Sequence, residues 1–383
     1  MSSGFLAGAD LSENAIERAR RASAGYVDLT SSNPTHQGLL FPPDVLREAA
    51  EAYWRVRRYD PDPRGALPAR EAICAYYAQR TPPLALSPDH IFLTASTSEA
   101  YGLLFTLLAD PGDNVLAPEV TYPLFEHLAA AHHIELRTYR LVEEADWAID
   151  EDSLRAVADA RTRAVLVISP HNPTGMIVQQ PIAALTQLGV PVICDEVFAE
   201  FTYRVTHTPP FATLHPELPV FTLNGISKMF ALPDLKLGWI ALNAPAARRY
   251  AARLELLNDM YLGANALIQF MLPTLFARGW MFVAQMRARV REALDLALAQ
   301  LAAIPTLHTR APQGGYYLFP RVLGREAGED EEQLVLDLLA HGVLVHPGYF
   351  YGCASGAHLM ISCLVAHEAL LRGLAVIRAR FTP

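Results

Sequence analysis

The chain has 383 residues, of which 51% are apolar and 19% charged, and its formal net charge is −9. That apolar share can bury one large core or two unequal lobes, which excludes disorder as the main state, and the negative balance argues against a nucleic-acid partner. No run approaches about 20 uninterrupted apolar residues, and Met1 to Asp10 lacks the basic start and apolar stretch of a secretion signal. Cys74, Cys194, Cys353 and Cys363 are scattered without CxxC spacing, so neither a disulfide framework nor a zinc site is expected, and a reducing cytoplasm suits the thiols.

Along the chain, helix and strand alternate as in an α/β protein. Residues 11–24 read as a helix with Ser12 as its N-cap, and the segment from Val27 to Thr35 is extended with turn chemistry. Pro42-Pro43 opens a helix running through Tyr53, and residues 68–80 form another with Pro68 in the first turn. Ile91 to Thr94 is a short apolar strand, followed by a helix over Ser96 to Leu108. Pro111-Gly112-Asp113 turns the chain into the strand Asn114 to Ala117. Ala164 to Ile168 and Val190 to Cys194 resemble buried parallel strands, each ending in polar residues, and Phe221 to Leu223 and Leu237 to Leu242 continue the series.

From about Met281 a long Arg/Ala/Leu helix begins. It is followed by the strand Gly315 to Phe319, a solvated acidic loop at Glu326 to Glu332 leading into a helix, and strand–helix units up to Phe381. Leu254, Leu257, Met260 and Tyr261, at helical spacing, read as core or subunit interface, and His132-His133 as surface residues rather than metal ligands. The expected fold class is therefore α/β. A large domain over 46–280 would hold a mostly parallel central sheet flanked by helices, and residues 1–45 with 281–383 would form a smaller α+β domain.

One count is sharper than the rest. Lys plus Arg total 31, yet only two of these residues, Lys228 and Lys236, are lysine. Arginine keeps the charge but cannot deprotonate to an amine nucleophile, so a lysine retained in such a chain is a candidate for chemistry that arginine cannot do. Other polar residues sit at the tips of the apolar strands, where ligands of open α/β sheets lie. Ser96-Thr97-Ser98 opens a helix directly after a strand, which suits a phosphate and suits equally an ordinary N-cap. Asp195 closes a buried strand, where an unpaired carboxylate is expensive; a cation such as a protonated pyridine nitrogen would answer it, as would a salt-bridge partner or a capping role. Asn172-Pro173-Thr174-Gly175, taken alone, is a turn.

Taken in order, these residues resemble the fold-type I, pyridoxal-phosphate-dependent aminotransferases of class I/II. The similarity runs through Asn33-Pro34, Tyr59…Gly65…Arg70, Thr94 to Ala100, Pro111-Gly112-Asp113 and Tyr122-Pro123. It continues through His171 to Gly175, Asp195-Glu196-Val197, Ser227-Lys228…Leu237-Gly238-Trp239 and Pro312 to Tyr317. The resemblance implies pyridoxal 5′-phosphate as cofactor, with Lys228 as the Schiff-base lysine and proton shuttle. It also implies that Asp195 pairs with the pyridine nitrogen, Asn172 bonds the ring 3′-oxygen and Tyr122 stacks on the ring. Ser96, Thr97, Ser98, Ser227 and Lys236 would hold the phosphate. Tyr59 would reach the phosphate of a neighbouring subunit, implying a homodimer with shared sites, and Asn33 and Asn172 would face the substrate.

Three positions depart from the family pattern. Lys236 stands where arginine is usual, which keeps the charge and loses the bidentate fork. Phe198 stands where a tyrosine often bonds the 3′-oxygen. Met360, in His358-Leu359-Met360-Ile361-Ser362, occupies the place of the arginine that grips the substrate α-carboxylate, and no arginine lies between Arg325 and Arg372.

Two substrate readings stay open. In one, an amino acid is held by another group, such as Arg321, Arg64 of a second subunit or His346; the retained frame around Asn33 favours this one. In the other, the donor has no carboxylate there. The expected activity is amino transfer from a donor, an amino acid with atypical carboxylate recognition, to a keto acceptor. The alternative is a carbon–sulfur β-lyase on the same fold. A non-catalytic, regulator-like relative fits less well, since about 30 residues precede the first motif, too few for a DNA-binding module.

Overall fold

Five apolar runs and two flanking strands pair into one seven-stranded sheet: β1 (Ile91–Thr94), β2 (Asn114–Pro118), β3 (Glu135–Tyr139), β4 (Thr162–Ile168), β5 (Val192–Asp195), β6 (Val220–Gly225) and β7 (Gly238–Leu242). The computed structural model describes residues 12–381. The expectation for Met1 to Asp10, and the start of the first helix at Leu11, lie outside the described residues. The strand order is β1-β7-β6-β5-β4-β2-β3, and only β7 runs antiparallel to its neighbours. β5, buried along its whole length, lies between two parallel neighbours and carries Asp195 out at its carboxyl end.

Helices cover both faces. On one, α1 (Thr97–Leu108) buries Ala100, Tyr101, Leu104 and Phe105 against the sheet residues Phe92, Leu166, Ile193 and Leu223. On the other, Met176, Phe198, Phe230 and Trp239 belong to a larger apolar cluster that continues into the C-terminal segment. Each such side chain contributes about 1.5–3 kcal/mol by leaving water. The C-terminal segment adds a small antiparallel sheet, β8 (Tyr317–Leu318), β9 (His346–Pro347) and β10 (Leu359–Ser362), with β10 in the middle. Val27–Asp28 near the start of the chain pairs in parallel with Val343–Leu344, which ties the N-terminal segment to it.

No single helix among the described residues is long and apolar enough to cross a membrane; the helices Ala266–Arg278 and Trp280–Leu301, jointly long enough, meet at 70°. Cys74, Cys194, Cys353 and Cys363 are free thiols.

Two sequence expectations need correction, and one strand carried no expectation at all. The first helix spans Ala15–Ala22, and its cap is Asn14, whose side chain accepts the Glu17 N–H at 2.8 Å, rather than Ser12. β3 carried no signal because its Glu-Leu-Arg-Thr-Tyr sequence is that of an edge strand with one polar side. The acidic stretch is only partly solvated: a helix begins at Glu329, and the Glu331 carboxylate is fully buried. Burial raises the pKa of Glu331, while N–H bonds from His358 (2.6 Å), Gly328 (3.2 Å) and Tyr349 (2.9 Å) oppose that rise.

A second buried carboxylate joins the middle of the chain to its C-terminal segment. Glu143, in the hairpin of Leu141–Val142 with Ala148–Ile149, lies 3.5 Å from His358 Nε2, 3.5 Å from Arg321 Nη1 and 3.6 Å from His308 Nδ1. Burial pushes the Glu143 pKa up, but these cations outweigh it and leave the carboxyl below its usual range. Burial also opposes charge on His358, yet the bond to Cys353 and the nearby Glu143 carboxylate prevail and its pKa rises to about 9. An unfolded imidazole titrates near ~6.5. The His358 contribution to stability is therefore complete below that pH and lost as pH rises through about 9. The unfolding free energy is expected to fall between pH 6.5 and 9, and Glu143→Gln to cost about 3 kcal/mol at neutral pH and flatten that fall. Denaturant titrations at several pH values check this; a wild-type stability that is flat over the window would contradict it.

Candidate active site

At the carboxyl edge of the parallel strands the loops surround a cavity of about 310 Å³. β1 delivers Ser96, Thr97 and Ser98 to it at the start of α1. The Ser96 hydroxyl accepts the Glu99 N–H at 3.1 Å, so part of the capping reading holds. Helix geometry leaves the N–H groups of Thr97 and Ser98 without partners inside the helix, at the positive end of its dipole. Gly238 lets β7 approach this turn: a Cβ there would lie 3.0 Å from the Ser96 carbonyl carbon and 3.1 Å from the Thr97 nitrogen. Gly225 is crowded in the same way, a Cβ meeting the Leu237 oxygen at 2.8 Å.

β4 leads to Asn172, whose Oδ1 is buried without a hydrogen-bond partner. The turn that follows is locked by a distant loop: Gly175, at φ 75°, accepts the N–H groups of Gln313 and Gly314 at 3.0 and 2.9 Å. A Cβ on Gly175 would collide with Pro312, so the two motifs meet through a glycine that nothing larger can replace. This contact holds the segment that carries Tyr317 against the cavity, which Ser32 also lines.

β5 presents Asp195 and Glu196, two buried carboxylates with different partners. Glu196 is answered by Arg80 at 3.0 Å and accepts the Phe211 N–H at 2.8 Å. Asp195 accepts the Tyr101 hydroxyl at 2.8 Å and the Val197 N–H at 3.0 Å, and no basic side chain of the described residues pairs with it. Burial pushes its pKa up to about 6; the Val197 and Tyr101 bonds and the Lys228 charge hold it there against a higher value.

After β6, Ser227 and Lys228 stand on the short helix Ile226–Met229 and line the cavity. Lys228 Nζ lies 6.0 Å from the centre of the Phe198 ring. Lys236 lines it too, with its backbone left-handed at φ 51°, a conformation that does not distinguish lysine from arginine. Tyr122 closes one side, half-exposed and edge-on to Phe125.

Two expected site residues do not line this cavity, and one of them, Tyr59, is expected at a neighbouring subunit's site rather than this one. Asn33 Oδ1 caps its own turn, accepting the Thr35 N–H at 3.1 Å and hydroxyl at 2.8 Å, and it does not line the cavity. Tyr59 is 78% exposed, on the outer surface. Conversely Tyr101, Ser32 and Phe198 contribute to the cavity wall. A tyrosine on the inward face of an apolar helix needs a polar partner, which was the available signal for Tyr101.

Residues 24–377 match the model of the family "Aminotransferase class I and II", and the chain belongs to that family. It is similar to the tyrosine aminotransferase of Bos taurus, at 29% identity over 72% of this chain and 65% of that protein. The glutamate-pyruvate aminotransferase of Escherichia coli strain K12 is 27% identical over 88% of this chain and 85% of its own length. The S-alkyl-thiohydroximate lyase of Arabidopsis thaliana is 31% identical over 73% and 61%. The match spans 65% and 66% of the bovine and human tyrosine aminotransferases, less than two thirds of their length. Among solved structures, an alanine aminotransferase from Pyrococcus furiosus superposes with a TM-score of 0.90 at 26% identity, covering 100% of this chain and 99% of that one.

Family membership implies pyridoxal 5′-phosphate, and the cavity fits it on its own evidence. A buried carboxylate without a cation, an unsatisfied amide oxygen at Asn172 and a glycine-lined approach to a helix N-terminus match a cationic ring, a ring hydroxyl and a phosphate in turn. Gly238→Ala is expected to displace the first turn of α1 and weaken cofactor binding about tenfold or more, read by titrating the apoprotein with pyridoxal phosphate. Unchanged affinity would remove that turn from the phosphate site.

Proposed function

We propose that the chain is a pyridoxal-phosphate-dependent aminotransferase that passes an amino group from a donor to a keto acceptor in two half-reactions, with Lys228 as the point of cofactor attachment. The observation that carries this reading is the convergence of Lys228, Asp195 and Asn172 on one cavity. When bound, the cofactor supplies an electron sink for the carbon that bears the amine.

The chain's own groups then have separate tasks. Asp195, held by the Tyr101 hydroxyl and the Val197 N–H, would keep the ring nitrogen protonated. Asn172 would bond the ring oxygen, and Phe198 offers no donor beside it. Ser96, Thr97, Ser98, Ser227 and Lys236 would hold the phosphate, and Tyr122 would cover the ring. Lys228 Nζ, once free of the cofactor, would take the proton from the amine-bearing carbon and pass it to the cofactor carbon joined to the amine nitrogen.

The names of the bovine and bacterial relatives support an amino-acid donor and a keto-acid acceptor. In this reading the large domain is 46–280, and residues 1–45 with 281–383 make up the small domain. A homodimer belongs to the same reading. Trp54, Val56, Tyr59, Met260, Tyr261 and Leu262 are all exposed, and Asn258 Nδ2 bonds the Pro63 oxygen at 2.6 Å, which brings the two segments into one patch. A cytoplasmic setting is consistent with the free thiols.

The Arabidopsis relative favours one other reading, a lyase, in which the same loss of the proton expels a group from the next carbon. The two are separated by mixing the holoprotein with amino acids and no keto acid. Conversion of the cofactor band to the pyridoxamine form is expected, and Lys228→Arg should slow it by roughly a thousandfold or more. Release of pyruvate and ammonia from a β-substituted amino acid, without that conversion, would establish the lyase instead.

A further inference from the structure

Pairing in the small sheet sets which side chains stand beside Tyr317 at the cavity. Tyr317 lies opposite Ser362, and His346 opposite Met360. Directly opposed residues share a face, and so do Met360 and Ser362, two apart on one strand. Of these residues Tyr317 alone lines the cavity, so this face is the one turned toward it, with Met360 and Ser362 buried in the layer directly behind.

Nothing on the face is cationic. The Ser362 hydroxyl is committed to the Ser31 oxygen at 2.6 Å, and Met360 offers a thioether. His346 bonds the Tyr351 hydroxyl at 3.1 Å, and burial, opposed weakly by Asp28, pushes its pKa down to about 4, so the imidazole is neutral. The only cations among the described residues that line the cavity are Lys228 and Lys236, one the attachment point and the other at the phosphate end.

The guanidinium groups nearest in role are already answered by carboxylates. Arg321 pairs with Glu143 at 3.5 Å and Glu144 at 3.9 Å, and Arg64 with Glu255 at 2.7 Å and Asp89 at 3.3 Å. A carboxylate placed against the Tyr317–Met360 face would exchange water for phenol, thioether and neutral imidazole. A carboxamide or a hydrogen atom in the same place gives up much less hydration.

We infer that the Tyr317–Met360 face receives an uncharged substituent, so that the site takes neutral amines, such as α-amino amides and simple primary amines, at least as well as free α-amino acids. The matching acceptors are oxo compounds with no carboxylate beside the carbonyl. The inference rests on the aminotransferase reading for the amine as substrate, and adds the charge of its neighbour.

The test uses the holoprotein and three matched sets: alanine, leucine and phenylalanine, each with its amide and with the amine lacking the carboxylate. Apparent dissociation constants come from the perturbation of the cofactor absorbance, compared at equal concentrations of unprotonated amine. The amide and amine are expected to bind as tightly as the acid or tighter. Acids tighter by tenfold or more, the margin a guanidinium grip provides, would overturn the inference.

Met360→Arg supplies a second arm. It is expected to move the acid-to-amide ratio tenfold or more toward the acid, and an unmoved ratio in a variant with an unchanged cofactor spectrum would show that this face does not meet the substituent. Binding and conversion are read separately. Neutral donors that bind as tightly as the acids, when no amine or acid converts the band, support the inference while removing the aminotransferase reading, and acids that bind tighter and convert far better than amides do the reverse.

Discussion

A carboxylate without a counter-charge, at the end of a buried strand, is the constraint on which the site depends. Asp195 and Glu196 are adjacent and both buried, yet Arg80 neutralises only the second. The first is held by a hydroxyl and an N–H, which orient it without supplying charge, and its pKa stays raised to about 6. Such a carboxylate favours any cation that enters the cavity beside it. A protonated ring nitrogen is stabilised there by the same burial that destabilises the lone carboxylate.

The surrounding fold serves to bring polar groups to that point while keeping the strands dry. Parallel strands deliver loop after loop to one edge, and Gly238 and Gly175 allow backbone approaches that a Cβ would prevent. The Gly175 contact reaches 138 residues along the chain to Gln313, as the numbering shows, and it positions Tyr317 and hence the whole small sheet. The Glu143 cluster anchors the same sheet from its other side through His358, two residues before Met360. The Tyr317–Met360 face is thus anchored at both ends, and no charged side chain stands on it.

Much of this was legible in the order of residues. β1 was bounded correctly from Ile91-Phe92-Leu93-Thr94 alone, because a short apolar run followed by a capping serine has few other readings. The polar tips Ser96, Asn172, Asp195 and Lys228 could be assembled because parallel topology sends strand ends to one edge. Contacts made across long separations left less trace. Tyr101 reads as one more apolar helical residue until Asp195 is seen beside it, and Glu331 reads as one of a solvated acidic run although it is buried under three N–H donors. The edge strand β3 lacks an apolar run altogether. Asn33 shows the converse: a residue placed at the substrate by resemblance has its side chain engaged in a local turn.

The scarcity of lysine makes the central claim unusually easy to test. Holoprotein reduced with borohydride and digested should carry the cofactor at Lys228 and nowhere else, in the sequence Gly225-Ile226-Ser227-Lys228. Mass spectrometry of the peptides reads this directly. One adduct per chain at Lys228, lost in Lys228→Arg, is the expected result. An adduct at Lys236, or reduced protein with none, would contradict the assignment of the cavity as a pyridoxal phosphate site built on Lys228.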